Sequence, residues 1–338
     1  MPVIGIPLER LQTLMRAEPS PDDLLAQLGH LGCDVEGFTT LKRVRCETCG
    51  SAIEMTETED VPPLCENCGG NLREHHSDLP PLDVIRMELL AVRPDMFDPG
   101  GLARVLRGYS GTETGAPRYE IGPPALRLTV DPILREADSY RPWIACAVIE
   151  NAHLDLDSLK IIMKLQESLH WAVGRNRKHA SIGVYDLSTL EGEITYTAED
   201  PASFGFTPLG APGPGAEHAV TMQAILEEHP KGIAYAHLLK DLARYPVLKD
   251  ARGQVLSMPP IINSEGTKVT VEATRLFIDV TGLGQRVVER TLNIMVSSLL
   301  ENLPGATAHA VEIVGPGEEQ RRVTPDFELQ TMKVSPAR

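Results

Sequence analysis

Apolar and polar positions divide this 338-residue chain into two regimes. Up to about residue 117 an apolar opening strand, "MPVIGIP", precedes a helix predicted over about 21–31. Leu24, Leu25, Leu28 and Leu31 share one side of it, with Ser20 as cap and Pro21 at its first position. "DVEGFTTLKRV" reads as strand and turn, and "LDVIRMELLAVRPDMFDPGGLARVLRGYSG" as a strand leading into a helix that starts near Gly100. From about residue 118 strands alternate with helices. "ALRLTVD", "PWIACAVIEN" and "ASIGVYDL" are predicted strands, and the nearly continuous apolar run of the second marks a central one. Between them "DLDSLKIIMKLQESLHWAVGRNRKHA" is the clearest helix: Leu159, Ile162, Leu165, Leu169 and Ala172 form its stripe and Asp157 its cap. Two short helices, about 219–228 and 232–243, are split by Pro230 and Gly232. Strands in "GQVLSMPPIINSEGTKVT" and "RLFIDVTG", the helix "QRVVERTLNIMVSSLLEN" and the strand "HAVEIVG" complete the pattern. No internal repeat is present.

Within "LFIDVTG", residues 276–282, period-two alternation puts Phe277, Asp279 and Thr281 on one face and Ile278 and Val280 on the other. Both faces carry large apolar groups, so a carboxylate and a hydroxyl share a face inclined toward burial. Either this is a strand end where Asp279 sits in water, or it is the wall of a pocket.

Two further clusters carry chemistry. "CETC" at 46–49 and "CENC" at 65–68 are paired knuckles, each setting two thiolates on one tight turn. Cys46, Cys49, Cys65 and Cys68 together suit a closed tetrahedral zinc site with a structural role, inside a polar insertion of about 44–78. Gly50, Gly69 and Gly70 follow the knuckles, where positive φ is needed. The run "GRNRKHA" gathers Arg175, Arg177, Lys178 and His179 at the end of the long helix. There it serves either the helix dipole or a phosphate. His170, on the same helix, reads as a packed or surface residue.

Composition narrows the classes. Lys and Arg number 32 against 47 Asp and Glu, a net charge of −15 that argues against a general nucleic-acid coat or an anionic membrane partner. No apolar run reaches membrane-spanning length, and the opening residues lack the cationic start of a signal peptide, so a cytoplasmic protein is expected. Cys33 and Cys146 are then left as buried thiols. Neither a phosphate-cradling Gly-rich loop nor a nucleotide fingerprint occurs, and there is no Ser-centred elbow or His-Glu zinc pattern. An enzyme of this sequence must work largely by positioning water and substrate.

"SMPPIINSEGTKVTVEATRLFIDVTG" closely resembles the β subunit of archaeal and eukaryotic-type phenylalanyl-tRNA synthetase. So do "RPDMFDPGGLARVLRGYSG", "RPWIACAVIENAHLD", "LQESLHWAVGRNRKHASIGVYDL", "EEHPKGIAYAHLL" and "YPVLKDARGQVLSMPP", in order along the chain. The resemblance implies an α+β fold: a mixed-sheet editing module with packed helices at 118–306, and a small N-terminal α/β domain at 1–117 carrying the zinc-ribbon insertion. Residues 307–338 would be a returning strand and the start of a further module. It also implies hydrolysis of tyrosine mischarged on phenylalanine tRNA, with tRNA and a catalytic α subunit as partners and no aminoacylation by this chain alone. The family's pocket Leu, Ser, Asp and Thr match Leu248, Ser257, Asp279 and Thr281, with Phe277 as the wall reading the tyrosine ring and the basic run near the acceptor end. A non-catalytic tRNA- or synthetase-binding module is the alternative. Two departures stand out. The ribbon is an addition to the family pattern. The chain also ends at "VTPDFELQTMKVSPAR", where the family continues into further modules, so a separate chain, action in trans or an artificial truncation is expected.

Overall fold

The computed structural model describes residues 3–88, 91–136, 141–211, 215–316 and 321–328. Its architecture is α+β, with two principal sheets. In chain order the first comprises β1 (Val3–Pro7), α1 (Leu8–Met15), α2 (Pro21–His30), β2 (Asp34–Cys46), β3 (Ala52–Thr56), β4 (His76–Glu88) and α3 (Pro99–Ser110). The four strands pair antiparallel in the order β1-β4-β2-β3. Ser20 caps α2 by accepting from Asp23 N, as its sequence predicts. Ile6, Leu11, Leu24, Leu28, Ile85, Leu102 and Leu106 form the core between helices and sheet.

The cysteine-bearing segment is continuous with this sheet. β2 runs unbroken to Cys46, which pairs with His76 at the start of β4, so the ladder itself extends into the insertion. Val44, Ile53, Met55 and Leu72 give it a small core with Cys46 and Cys65.

The larger sheet contains β5 (Ile121–Val130), β6 (Trp143–Glu150), β7 (Ala180–Asp186), β8 (Ile194–Glu199), β11 (Tyr245–Lys249), β12 (Val255–Met258), β13 (Ile262–Asn263), β14 (Arg275–Gly282), β15 (Thr307–Val314) and β16 (Arg322–Thr324). Its path is β13-β12-β11-β8-β5-β15-β6-β14-β7, with β16 on β15. β5 runs parallel to β15 and β8, and the other pairings are antiparallel, so the sheet is mixed. β6 is indeed central, with Ile144 to Ile149 buried. α4 (Leu156–Ala172) and α7 (Gln285–Asn302) cover one face. β9 (Gly205–Phe206) pairs with β10 (Val220–Thr221), and α5 (Met222–Glu228) and α6 (Pro230–Tyr235) follow.

Three helix details differ from the sequence reading. Asp155, not Asp157, caps α4: its carboxylate accepts from Ser158 N at 2.7 Å while Ser158 Oγ accepts from Asp155 N at 2.9 Å. That reciprocal box frees Asp157 to pair with Arg43. Ile161 is buried whereas Leu159 and Ala172, which the sequence pattern puts in the stripe, are only half-buried. Pro230 does separate the two short helices, standing at the first position of α6, but Gly232 lies inside α6, where a Cβ would meet Ile225 O at 1.7 Å, and α6 ends at Tyr235.

The two sheets are joined through α3 and α7. Asp98 caps α3, accepting from Gly100 N and Gly101 N, and also accepts from Ser298 Oγ at 2.7 Å and from Asn302 Nδ2. No helix among the described residues is long and apolar enough to cross a membrane.

Candidate active-site cleft and metal centre

β14 alternates as its sequence predicts, with both faces buried. Ile278 and Val280 join the core under α4 and α7, while Phe277 joins a second core with Val148, Tyr185, Tyr196 and Leu248. Asp279 and Thr281 lie on the Phe277 side and are 1% and 0% exposed. The strand-end-in-water reading of Asp279 is therefore set aside. Antiparallel register places Asp279 opposite Gly183 of β7, Phe277 opposite Tyr185 and Thr281 opposite Ser181.

The glycine opposite the carboxylate makes the site. A Cβ on Gly183 would stand 1.9 Å from Tyr185 Oη and 2.3 Å from Asp279 Oδ1, so only hydrogen leaves room for the two to meet. Tyr185 Oη lies 2.5 Å from Asp279 Oδ1 and 2.8 Å from Ser257 Oγ. The phenol has one proton and donates it in a hydrogen bond to the carboxylate, so the Ser257 hydroxyl donates to the phenol oxygen. Ser257 belongs to β12, near the opposite end of the sheet. The sheet therefore curls until its ends meet, and Asn263 Nδ2 of β13 donates to Val184 O of β7 at 3.4 Å.

Burial pushes the Asp279 carboxyl up to about 7, against the Tyr185 hydrogen bond and the Arg141 charge, which both lower it. Burial likewise raises the Tyr185 phenol well above its ordinary value, and the Asp279 charge adds to this. Arg141 is fully buried behind the strand. It donates to Thr281 Oγ1 at 3.1 Å, to Ser181 Oγ at 3.0 Å, to Arg177 O at 2.8 Å and to Thr281 O.

A cleft of about 830 Å³ opens over this floor. Asp279, Tyr185, Gly183, Ser181 and Ser257 line it, with the Pro259–Asn263 turn beside them. Of the pocket residues that the resemblance implies, Asp279 and Ser257 thus reach the cleft. Thr281 faces Arg141 and Ser181, while Phe277 and Leu248 lie fully buried beneath it. Phe277 stacks on Tyr185 at 5.9 Å, so the aromatic ring lining the cleft is Tyr185.

The basic run splits. Arg175 and Lys178 are exposed and His179 half-buried, but Arg177 is turned inward. Arg177 bonds Glu167 at 2.5 Å, donates to Ile261 O at 2.9 Å and Pro260 O at 3.3 Å, and lies 4.4 Å from the Tyr235 ring centre. It shapes the cleft's lip rather than offering a free cation. His170 is buried too, and its Nε2 accepts from Ile182 N at 2.8 Å, which occupies the lone pair a base would need. Burial also lowers its pKa.

Tyr185, Gly183 and Arg141 are site residues that sequence reasoning passed over. The interior glycine of "ASIGVYDL", one strand from the buried Asp, is the signal that could have found the first two. Arg141 has no local signal.

The two knuckles fold alike. Gly50 N donates to Cys46 O and Gly69 N to Cys65 O, each at 2.8 Å, while Cys46 N and Cys65 N donate to Ser51 O and Gly70 O. Gly50 and Gly69 have φ of 76° and 69°; at Gly70 the requirement is space, since a Cβ would meet Thr48 Oγ1 at 2.9 Å. All four Sγ atoms lie within 4.8 Å of one another. Cys46–Cys68 and Cys49–Cys65 are 3.8 and 3.7 Å apart, the edge expected of a tetrahedron with bonds of ~2.3 Å to a central ion. The residues fit a metal.

No protein-family model matches the chain. Among characterised sequences it is 33% identical over 334 residues to a protein from Archaeoglobus fulgidus named phenylalanine–tRNA ligase β subunit, covering 99% of this chain and 50% of that one. The protein of the same name from Methanocorpusculum labreanum is 43% identical over 245 residues, 72% of this chain and 42% of that one. This chain thus spans half or less of the length of these relatives. Among solved structures, an N-terminal fragment of the phenylalanyl-tRNA synthetase β subunit from Pyrococcus horikoshii matches with a TM-score of 0.76 and 30% identity, over 96% of this chain and 80% of that one.

Proposed function

The chain belongs to the family of phenylalanyl-tRNA synthetase β subunits, and from that premise we propose that its cleft hydrolyses tyrosine mischarged onto phenylalanine tRNA. The editing unit is taken as residues 118–306. The observation that carries this reading is the buried Asp279 on the cleft floor, with its raised pKa and one hydrogen bond from Tyr185.

Tyrosine and phenylalanine differ by one hydroxyl. A tyrosyl phenol reaching Asp279 gains a charge-assisted hydrogen bond and compensates a carboxylate that burial disfavours. A phenylalanyl ring reaching the same floor supplies no donor. Sites built to bond a hydroxyl discriminate by ~10⁴–10⁵ against the analogue lacking it. Ser257 holds the Tyr185 phenol, and Arg141 holds Thr281 and Ser181 on the strands flanking the glycine opening. Phe277 and Leu248 support the floor from below.

In the reaction, a water oxygen bonds to the ester carbonyl carbon, the bond from that carbon to the ribose oxygen breaks, and the ribose oxygen takes one of that water's protons, releasing free tyrosine and uncharged tRNA. No side chain is assigned as general base; the neighbouring hydroxyl of the terminal ribose orients the water. Arg175, Lys178 and His179 meet the acceptor-end phosphates, and Arg177 acts indirectly by holding the turn at Pro260 and Ile261. Zinc is the ion favoured by four thiolates, and such a closed set gives it a structural role. A catalytic α subunit is the expected partner, in the cytoplasm.

The test mixes the purified protein with tyrosyl- and with phenylalanyl-tRNA for phenylalanine. Release of tyrosine but not phenylalanine, lost in Asp279→Ala, supports editing. Tight tRNA binding without release would instead make this a non-catalytic binding module.

A further inference from the structure

The metal ribbon stands against the cleft. Ion pairs join it to α4 at three positions on one helical face: Asp157 with Arg43, Lys160 with Glu66 at 3.4 Å, and Lys164 with Glu54. On its other side Asn67 O comes within 3.0 Å of where a Gly210 Cβ would sit. Gly210 N donates to Glu265 at 2.8 Å and Leu209 N to Asn263 O at 2.8 Å, and Asn263 reaches β7 next to Tyr185. The second knuckle is therefore seated on both sides, and its residues 64–69 line the same cleft that Asp279 and Tyr185 floor.

Two large apolar side chains in this cleft stay uncovered. Leu64 of the knuckle is 59% exposed and Met163 of α4 is 37% exposed. Lys160 lies beside both walls. Apolar groups on two elements that line one cleft, beside Lys160 and its partner Glu66, suit an unstacked nucleobase, whose faces are apolar.

We propose that Leu64 on the second knuckle and Met163 on α4 clasp the terminal base of the tRNA 3′ end, so that the metal ribbon is one wall of the acceptor site. This rests on the editing reading, because that reading brings the 3′ end to this cleft. Folding of the knuckle around its ion then sets the spacing of the clasp.

The experiment compares binding of two uncharged phenylalanine tRNA transcripts, one with the full 3′ end and one lacking the terminal adenosine. The zinc-loaded protein should prefer the full transcript by about tenfold, the scale of partly burying an apolar side chain. Leu64→Ser and Met163→Ser should each bring that ratio close to one while leaving affinity for the shortened transcript unchanged. Removing the metal should do the same, with the thermal transition of the large sheet retained. Met163 lies outside the ribbon, so its variant decides the matter if Leu64→Ser loses zinc. An unchanged ratio in Met163→Ser, or no preference in the parent protein, overturns the proposal. Tyrosine release is read separately: a protein that prefers the full 3′ end but releases no tyrosine keeps the clasp and loses the editing reading.

Discussion

The Tyr185 phenol oxygen stands 2.5 Å from the Asp279 carboxylate, across the space left by Gly183. This internal phenol occupies one carboxylate oxygen, the kind of bond the tyrosyl substrate is proposed to make. Tyr185 therefore holds Asp279 in place and keeps its charged form accessible, because its hydrogen bond lowers a pKa that burial has raised.

Replacing Tyr185 by Phe removes that donor and keeps the ring on Phe277. The Asp279 pKa should then rise above about 7. Tyrosine release should fall at neutral pH and recover at higher pH, the acid limb of the rate profile moving alkaline. A uniform loss at every pH would show that Tyr185 matters for packing only.

Asp279 also makes stability depend on pH in an unusual direction. Its carboxyl titrates near 3.8 in the unfolded chain and at about 7 in the folded one, so between these values the folded state binds the extra proton. Its contribution to stability is fully present at low pH, declines as pH rises from about 4 to about 7, and is flat above. The decline is bounded at ~4 kcal/mol, from the shift at 1.36 kcal/mol per unit. Urea unfolding of the parent and of Asp279→Asn across this range should show a component that only the parent has. Parallel curves would remove the buried-carboxyl assignment.

How far the sequence carried depended on how local each constraint is. The alternation of β14 was legible because both of its faces are buried, and the knuckles because their turns are closed within each CxxC unit. β11 was not, since Pro246 sits inside it, paired with Ala198, and a proline argues against a strand from sequence. β8 is short, and α1 follows β1 with no intervening loop. The cap of α4 turned on Ser158 answering Asp155, a reciprocity that the neighbouring Asp157 obscures. Ser257 could be placed by resemblance, but its meeting with Tyr185 depends on the sheet bringing its two ends together. Burial of Arg177 likewise depends on a turn some 80 residues away.

Gly183→Ala tests the opening itself. Its Cβ would fall 1.9 Å from the Tyr185 phenol and 2.3 Å from Asp279, so one of them must move. Overpacking of this kind costs ~1–3 kcal/mol. The variant should melt earlier and lose selectivity for tyrosine over phenylalanine, measured by calorimetry and by release from the two charged tRNAs. Retained selectivity would mean that the floor tolerates displacement.

The basic run separates into two functions that substitution can distinguish. Arg177 donates to two carbonyls of the Pro260–Ile261 turn, pairs with Glu167 and stacks on Tyr235, so Arg177→Ala removes support from one side of the cleft. It should destabilise the protein by roughly 2–4 kcal/mol, since charged hydrogen bonds contribute most when buried. Arg175, exposed in the turn that follows α4, should behave in the opposite way. Arg175→Ala should change stability by less than ~0.5 kcal/mol yet weaken tRNA binding and reduce its salt dependence, because one phosphate contact is lost. Denaturant melts and a salt titration of tRNA affinity measure both. Equal stability losses would mean that the turn is uniformly structural, and an unchanged salt slope in Arg175→Ala would take it off the RNA path.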